Sequence, residues 1–332
     1  MRIAVTGSIA TDHLMSFDGR FADSLVVEQL DKVSLSFLVG DLQIRRGGIG
    51  ANIAFGLANL GLRPLLVGAV GEDFIDYRSW LERHGVDCGG VLVSEVQHTA
   101  RFICTTDRDQ AQIASFYPGA MSEARSIELG PLGVREAIDL VVISPNDPEA
   151  MLRHTEECRA RGLPFAADPS QQLAWSDGDR IRQFIDGATY LFSNDYEAAL
   201  IEKKTGWTTD DVRARVQMRI TTHGEKGVVV EGRDAAGEPI ETVQVPVVPA
   251  ERIADPTGVG DSFRAGFLAG LAWGVSPQRC AQIGCMLATL TIETVGTQEY
   301  DLGRAAFLRR FSGAYGDVAA ADLEPHLHTL RP

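Results

Sequence analysis

The chain has 332 residues, of which 45% are hydrophobic and 23% charged, the composition of a globular protein with a large core. A formal net charge of −14 without a dense Lys/Arg run argues against a nucleic-acid partner. No apolar run approaches the ~18 residues of a membrane span, and residues 1–7 predict a strand rather than a signal peptide. We therefore expect a cytoplasmic protein without a membrane partner.

Short apolar segments alternate with segments of helical spacing along most of the chain. The apolar segments are residues 3–5, 64–70, 140–143, 165–167, 190–192 and 228–230, and the helical ones include residues 51–60, 147–161 and 195–204. Short buried strands that alternate with helices predict a mostly parallel sheet covered on both faces. From Asp261 onwards the chain is predicted to be almost entirely helical.

Two regions interrupt this alternation. Residues 13–47 contain two segments of alternating apolar and polar residues. Residues 99–106 and 111–117 flank the predicted hairpin turn Asp107-Arg108-Asp109-Gln110. We expect the two regions to pair into a small sheet outside the main domain.

The segment Asp255-Pro256-Thr257-Gly258-Val259-Gly260-Asp261 carries the strongest signal for chemistry. A glycine-rich turn that leads into a helix is an anion site, because free N–H groups and the helix dipole converge there. Asp261 beside that site could accept a proton from an attacking hydroxyl. From the pattern alone, an ordinary loop with Asp261 as a helix cap is an equally good interpretation.

This segment resembles the D-T-x-G-A-G-D signature of the ribokinase (PfkB) family, from which it departs at Pro256 and Val259. The resemblance implies a ribokinase-like three-layer α/β sandwich with a mostly parallel central sheet and a small β-sheet lid. The large domain would comprise residues 1–12, 48–95 and 119–332, and the lid residues 13–47 and 96–118. Asp261 would be the general base, and the amides of Gly258, Val259 and Gly260 would form an anion hole.

Further segments resemble family landmarks in the expected order. Residues 47–52 resemble G-G-x-x-x-N, which implies that Gly48 and Asn52, together with Asp12, bind substrate hydroxyls. Asn194 and Glu197 resemble N-x-x-E, which implies contacts with phosphate and, through water, with Mg²⁺. The same pair is also close to a helix capping box.

The segment from Thr222 to Gly227 resembles the T-x-G-x-x-G loop beside the ATP phosphates, with Gly224 at its middle glycine. It also predicts the turn of a β-hairpin. A monovalent cation, K⁺, is implied near the anion hole by a match at Asp255, Thr257 and Gly296.

Over nearly the whole chain the sequence is similar to the actinobacterial-type adenosine kinases, a branch of this family. Residues 6–14, 112–121, 167–173 and 293–299 are the most distinctive. From the pattern alone, Phe102 and Phe116 are better explained as core residues of the small sheet than as binding residues. Gln171 and Gln172 are likewise better explained as part of a solvated loop. The nucleoside-binding residues implied by the resemblance are Ser8, Asp12, Gly48, Asn52, Phe102, Phe116, Gln171 and Gln172.

Members of the branch that this chain resembles form dimers through the lid. This implies a homodimer in which Ser36 reaches the partner's nucleoside site. Pairing would bury an apolar face that a small sheet alone leaves exposed. That predicted face consists of Val33, Leu35, Phe37 and Val39.

The implied reaction is transfer of the γ-phosphate of ATP, with Mg²⁺, to the 5′-hydroxyl of adenosine, giving AMP and ADP. A ribose or fructose kinase of the same fold would share every catalytic residue and differ only in the lid and base pocket. A purine-nucleoside-binding regulator without turnover is a second alternative, against which the presence of Asp261 and both glycines argues.

Overall fold

The computed structural model describes residues 1–24, 35–134, 136–234, 236–328 and 330. Its strands are β1 Ile3–Thr6, β2 Ala10–Ser16, β3 Asp41–Gly47, β4 Leu65–Gly71, β5 Asp87–Ser94, β6 Ala100–Thr106, β7 Gln112–Tyr117, β8 Leu140–Ile143, β9 Phe165–Ala167, β10 Tyr190–Asn194, β11 Met218–Thr222, β12 Val228–Gly232 and β13 Val243–Val245. Its helices are α1 Phe21–Ser24, α2 Ile49–Asn59, α3 Ile75–Arg83, α4 Leu129–Leu132, α5 Pro148–Arg161, α6 Gly178–Ile185, α7 Asp195–Thr205, α8 Thr209–Arg215, α9 Val259–Trp273, α10 Pro277–Ile292, α11 Arg304–Tyr315 and α12 Asp317–Leu323. Among the described residues, no helix combines the length and hydrophobicity needed to cross a bilayer.

The main sheet has the strand order β13-β12-β11-β10-β9-β8-β1-β4-β5. The strands from β11 to β5 in this order are parallel, and β12 is antiparallel to both of its neighbours. β1 pairs with β4 on one side and with β8 on the other, so the strand order reverses there. In open α/β sheets, ligands bind beyond the carboxyl ends of the strands at such a reversal.

A hydrophobic core lies on each face of this sheet. Successive residues of β8 belong to opposite cores: Val142 to the core that contains Phe267 of α9, and Val141 to the core that contains Phe184 of α6. Continuous apolar strands of this kind are typical of parallel sheets buried on both faces. The predicted α/β architecture is confirmed.

The second sheet has four strands in the order β3-β2-β6-β7. β2 is parallel to β6, whereas β3 and β7 are antiparallel to their partners. The predicted hairpin is formed by β6 and β7, and its turn is held by Asp107 Oδ1, which accepts hydrogen bonds of 2.9 Å from the amides of Asp109 and Ala111. A small sheet separate from the main one is confirmed.

Two details of this region differ from the sequence prediction. Residues 35–40 are not part of a strand. The centroid of the Phe37 ring lies 4.8 Å from that of Phe17 and 5.2 Å from that of Phe21, so Phe37 packs against aromatic residues of the same chain. Asp12, which was predicted outside the lid, is a residue of strand β2 in the small sheet. Val33 lies outside the described residues, and the proposed domain boundaries stay predictions.

Candidate active site

A cavity of about 870 Å³ lies between the carboxyl ends of β1, β8, β10 and β11 and one face of the small sheet. Its size falls within the roughly 300–1,000 Å³ of small-molecule sites. The residues selected from the sequence that line it are Ser8, Asp12, Gly48, Asn52, Phe102, Phe116, Gln171, Gln172, Asn194, Glu197, Thr222, Asp255, Thr257, Gly258, Gly260, Asp261 and Gly296. Folding thus gathers most of the predicted site at one place.

Asp261 lies in the first turn of α9 and is only 9% exposed. Its Oδ2 accepts a hydrogen bond of 2.8 Å from Nδ2 of Asn52. Burial raises the pKa of Asp261, while the nearby Arg264 charge and the Asn52 hydrogen bond oppose that rise. A carboxylate whose pKa is moved towards neutrality is a more effective proton acceptor.

The glycine-rich segment before Asp261 forms the start of α9. Gly258 is the N-cap with φ of 74°, and a Cβ atom there would lie 2.8 Å from Cγ2 of Thr297. Both the left-handed backbone and the close approach therefore favour glycine. The first amides of α9, from Val259 on, have no acceptor within the helix and can bind an anion.

Ser8 and Gly48 lie at the start of α2, next to this turn. Gly48 is the N-cap of α2, and Ser8 Oγ accepts a hydrogen bond of 3.0 Å from the amide of Ile49. Asn52 follows one turn later and contacts Asp261, so α2 and α9 meet with their first turns at the cavity.

A buried hydrogen-bond network fixes the orientation of Asn52. Its Oδ1 lies 2.9 Å from Thr297 Oγ1 and accepts a hydrogen bond of 3.0 Å from Gln298 Nε2. Gln298 Nε2 also lies 2.5 Å from Tyr77 Oη, which donates to the carbonyl of Gly47 at 2.9 Å. The Asn52 oxygen is therefore engaged, and its NH₂ group is directed at Asp261. Sequence analysis assigned no role to Tyr77, Thr297 or Gln298.

Arg264 is a further site residue that the sequence patterns did not single out. It lines the cavity, is 9% exposed, and lies one helical turn after Gly260. Its Nη2 atom lies 2.6 Å from Oδ1 of Asp168, a fully buried residue just after β9. The sequence analysis included Asp168 in a distinctive stretch but not among the site residues.

Asn194 and Glu197 form the capping box of α7. Asn194 Oδ1 accepts from the Glu197 amide at 2.7 Å, and Glu197 Oε2 accepts from the Asn194 amide at 2.8 Å. No group of three or more His, Cys, Asp or Glu side chains suited to a metal occurs among the described residues. One carboxylate beside a phosphate site fits Mg²⁺, which keeps several waters and takes its other ligands from phosphates. The predicted Mg²⁺ contact of Glu197 stays a prediction.

One row of paired residues crosses the small sheet and faces the cavity. Arg45 pairs with Asp12, Asp12 with Phe102, and Phe102 with Phe116. Directly paired residues project from the same face, so the two rings lie side by side. Burial raises the pKa of Asp12 to about 6, which Arg45 opposes.

The glutamine pair also lines the cavity, in a loop after β9. Gln172 Nε2 donates a hydrogen bond of 3.0 Å to the carbonyl of Asn146, and Gln171 is exposed and lines the cavity. Trp175 at the end of this loop also lines the cavity and is 85% exposed. Sequence analysis did not select Trp175.

Four predicted residues do not line the cavity. They are Ser36, Val259, Gly224 and Gly227. Ser36 is exposed, and its role in a partner's site stays a prediction. Asp255 does line the cavity, and its carboxylate accepts from the amides of Thr257 at 2.9 Å and Gly296 at 3.1 Å. These bonds tie two loops together, while the cation itself stays a prediction.

Comparison with known proteins gives a consistent result. The model of the pfkB family carbohydrate kinases matches residues 12–302. The structure of a Burkholderia thailandensis nucleoside kinase in complex with inosine is 36% identical, with a TM-score of 0.81 over 95% of this chain and 97% of that one. The same kinase in complex with ADP-inosine is 37% identical, with a TM-score of 0.79 over 95% and 96%.

Two further relatives bear on the acceptor. A nucleoside kinase from Methanocaldococcus jannaschii is 26% identical, with a TM-score of 0.81 over 94% of this chain and 98% of that one. Adenosine kinase 1 of Arabidopsis thaliana is 30% identical over 117 residues, which are 32% of this chain and 34% of that one.

Proposed function

Because the chain belongs to the pfkB family of carbohydrate kinases, we propose that it transfers the γ-phosphate of ATP to the 5′-hydroxyl of a nucleoside, with adenosine as the preferred acceptor. One observation carries the proposal: a single cavity is lined both by Asp261 with the start of α9 and by the Phe102–Phe116 pair. A phosphoryl-transfer centre and an aromatic surface for a base therefore share one space.

The proposed chemistry needs a proton acceptor and a site for a moving anion. Asp261 takes the 5′-hydroxyl proton as the oxygen bonds to the γ-phosphorus and the bond to the β-phosphate bridging oxygen breaks, releasing ADP. The first amides of α9 hold the phosphoryl oxygens. Such reactions depend mainly on positioning and charge stabilisation. Mg²⁺, when bound with ATP near Glu197, would offset phosphate charge.

The aromatic part of the cavity lining supports a nucleoside as the phosphoryl acceptor. A purine offers two aromatic rings a flat face, whereas a free sugar offers little to stack on. Asp12 lies in the same row of the sheet as Phe102, and a carboxylate there supports a ribose because it can accept hydrogen bonds from hydroxyls. The full-length similarity to nucleoside kinases is further support.

Inosine is a second candidate acceptor, because the Burkholderia thailandensis kinase was solved in complex with it. Adenine carries a donor at C6 and an acceptor at N1, whereas hypoxanthine carries an acceptor at C6 and a donor at N1. A glutamine amide offers both, so Gln171 and Gln172 are compatible with either base. The partial match to an adenosine kinase does not decide between them.

The direct test is an ADP-release assay with ATP and Mg²⁺ that compares adenosine, inosine, ribose and fructose by kcat/KM. We expect adenosine to give the highest value and the free sugars the lowest. A preference for inosine would support a nucleoside kinase but would show that adenosine is not the preferred acceptor. A preference for ribose or fructose would replace it by a sugar kinase, and nucleoside binding without ADP release would favour the regulator.

A further inference from the structure

Arg264 combines burial, positive charge and access to the reaction centre. It is 91% buried, yet it lines the cavity, whereas its ion-pair partner Asp168 is fully buried and does not. The guanidinium therefore separates Asp168 from the cavity. A cation held in this way faces the space into which a phosphate would enter.

The guanidinium also lies against the anion-binding turn. A Cβ atom added at Gly260 would lie 2.7 Å from Nη1 of Arg264. Gly260 thus allows the guanidinium to rest against the first turn of α9, beside the amides that can bind an anion. Burial lowers the pKa of Arg264, but the negative charges of Asp168, Asp261 and Glu197 outweigh it and raise the pKa, so the guanidinium stays charged.

A purely structural ion pair explains this arrangement poorly. Within the described residues, Arg264 Nη2 lies 2.6 Å from Asp168 Oδ1, but Arg264 Nε has no acceptor, and neither has the Nε of Arg219, which lies outside the cavity. Buried ion pairs offset the cost of desolvation only when their hydrogen bonds are complete, and apolar side chains are often as stabilising. Arg264 differs from Arg219 because it lines the cavity, so a ligand there can reach its guanidinium.

We propose that Arg264 is a catalytic residue that binds the non-bridging oxygens of the γ-phosphoryl group during its transfer, and that Asp168 is a positioning residue that holds its guanidinium. This role rests on the proposed phosphoryl transfer. As the bond to the acceptor oxygen forms and the bond to ADP breaks, negative charge is spread over the three equatorial oxygens. The planar guanidinium can donate two parallel hydrogen bonds to them, which a lysine cannot.

The test measures kcat and KM for wild type, Arg264→Gln, Arg264→Lys and Asp168→Asn. We expect Arg264→Gln to lower kcat by roughly a hundredfold or more, as loss of one transition-state donor does, with little change in nucleoside KM. The fall in kcat should be smaller for Arg264→Lys, because lysine keeps the positive charge, and smaller still for Asp168→Asn. Arg219→Lys is a matched control, since Arg219 is a buried, ion-paired arginine outside the cavity, and its kcat should stay at the wild-type value.

Two further readouts separate this role from others. If Arg264 only kept Asp261 ionised, the deficit of Arg264→Gln would disappear as the pH is raised; we expect it to persist. We also expect Arg264→Gln to weaken binding of ADP with aluminium fluoride and nucleoside, a transition-state mimic, far more than binding of nucleoside alone. Circular dichroism would verify that each variant is folded.

The possible results distinguish a failure of the role of Arg264 from a failure of the proposed function. An active wild type with unaffected Arg264→Gln turnover, or a deficit that disappears at high pH, would overturn the role of Arg264 and leave the proposed function standing. If Arg264→Gln does not fold, Arg264→Lys decides by the same comparison. A folded wild type that releases no ADP with any acceptor would overturn the proposed function and this role with it.

Discussion

At the scale of single residues, Asp261 is the side chain on which the proposed chemistry depends most. Asp261→Asn keeps the shape and still offers an oxygen to Asn52 Nδ2, but it cannot accept the hydroxyl proton. We expect kcat to fall by about 10²–10⁴, the usual contribution of a general base. Calorimetry should find nucleoside affinity little changed.

A suitable control is Asp177→Asn, because Asp177 caps the start of α6 through the Arg180 amide and does not line the cavity. Asparagine is as good an N-cap as aspartate, so this variant should have wild-type kinetics. Near wild-type turnover of Asp261→Asn would remove Asp261 from the role of base.

At the scale of elements, the β6–β7 hairpin places two aromatic rings on one wall of the cavity. Phe116 is 51% exposed and pairs directly with Phe102, so a bound base would cover its ring. Stacking is worth roughly 1–3 kcal/mol per base. Phe116→Ala should therefore lower kcat/KM for adenosine by about tenfold to a hundredfold, since about 1.4 kcal/mol is a factor of ten. The KM for ATP should hardly change.

Ser115→Ala provides the comparison, since Ser115 is exposed on the same strand and its side chain projects from the opposite face. Its steady-state constants should match those of wild type. Unchanged adenosine phosphorylation by Phe116→Ala would contradict the role of this hairpin in base recognition.

At the scale of the whole molecule, the residues that the structure describes leave the outer face of the small sheet uncovered. Phe37 packs against other aromatic rings of its own chain, so the exposed apolar face differs from the predicted one. Leu42, Ile44 and Ile113 are 52%, 61% and 48% exposed on strands β3 and β7. A second copy could bury these side chains, and we expect sedimentation to show a dimer at micromolar concentration.

The variant Ile44→Asp should convert that dimer to a monomer, because it places a charge in the buried interface. Val318→Asp alters an apolar residue on α12 that is even more exposed, at 77%, and should leave the sedimentation coefficient unchanged. A fully active wild-type monomer would rule out the dimer and the role of Ser36 in a partner's site.

Local patterns by themselves determined much of this protein. Strands buried on both faces are continuously apolar, so β4 and β8 were evident from the chain. The capping box of Asn194 and Glu197 and the pairing of Phe102 with Phe116 depend on residues close in sequence, where one turn sets the geometry. The glycine-rich segment predicted the α9 start for the same reason.

Only the tertiary structure decided which distant side chains meet. Asn52 contacts Asp261 across 209 residues and Thr297 across 245, and no periodicity connects positions so far apart. The pairing of Arg264 with Asp168 depends on α9 packing against the end of β9, so neither residue was selected from the sequence. Phe37 was misassigned because alternation cannot reveal that an aromatic cluster of the same chain covers it. The chain specifies its elements through nearest neighbours, whereas the charge balance of the candidate site arises where the two sheets and two helix starts converge.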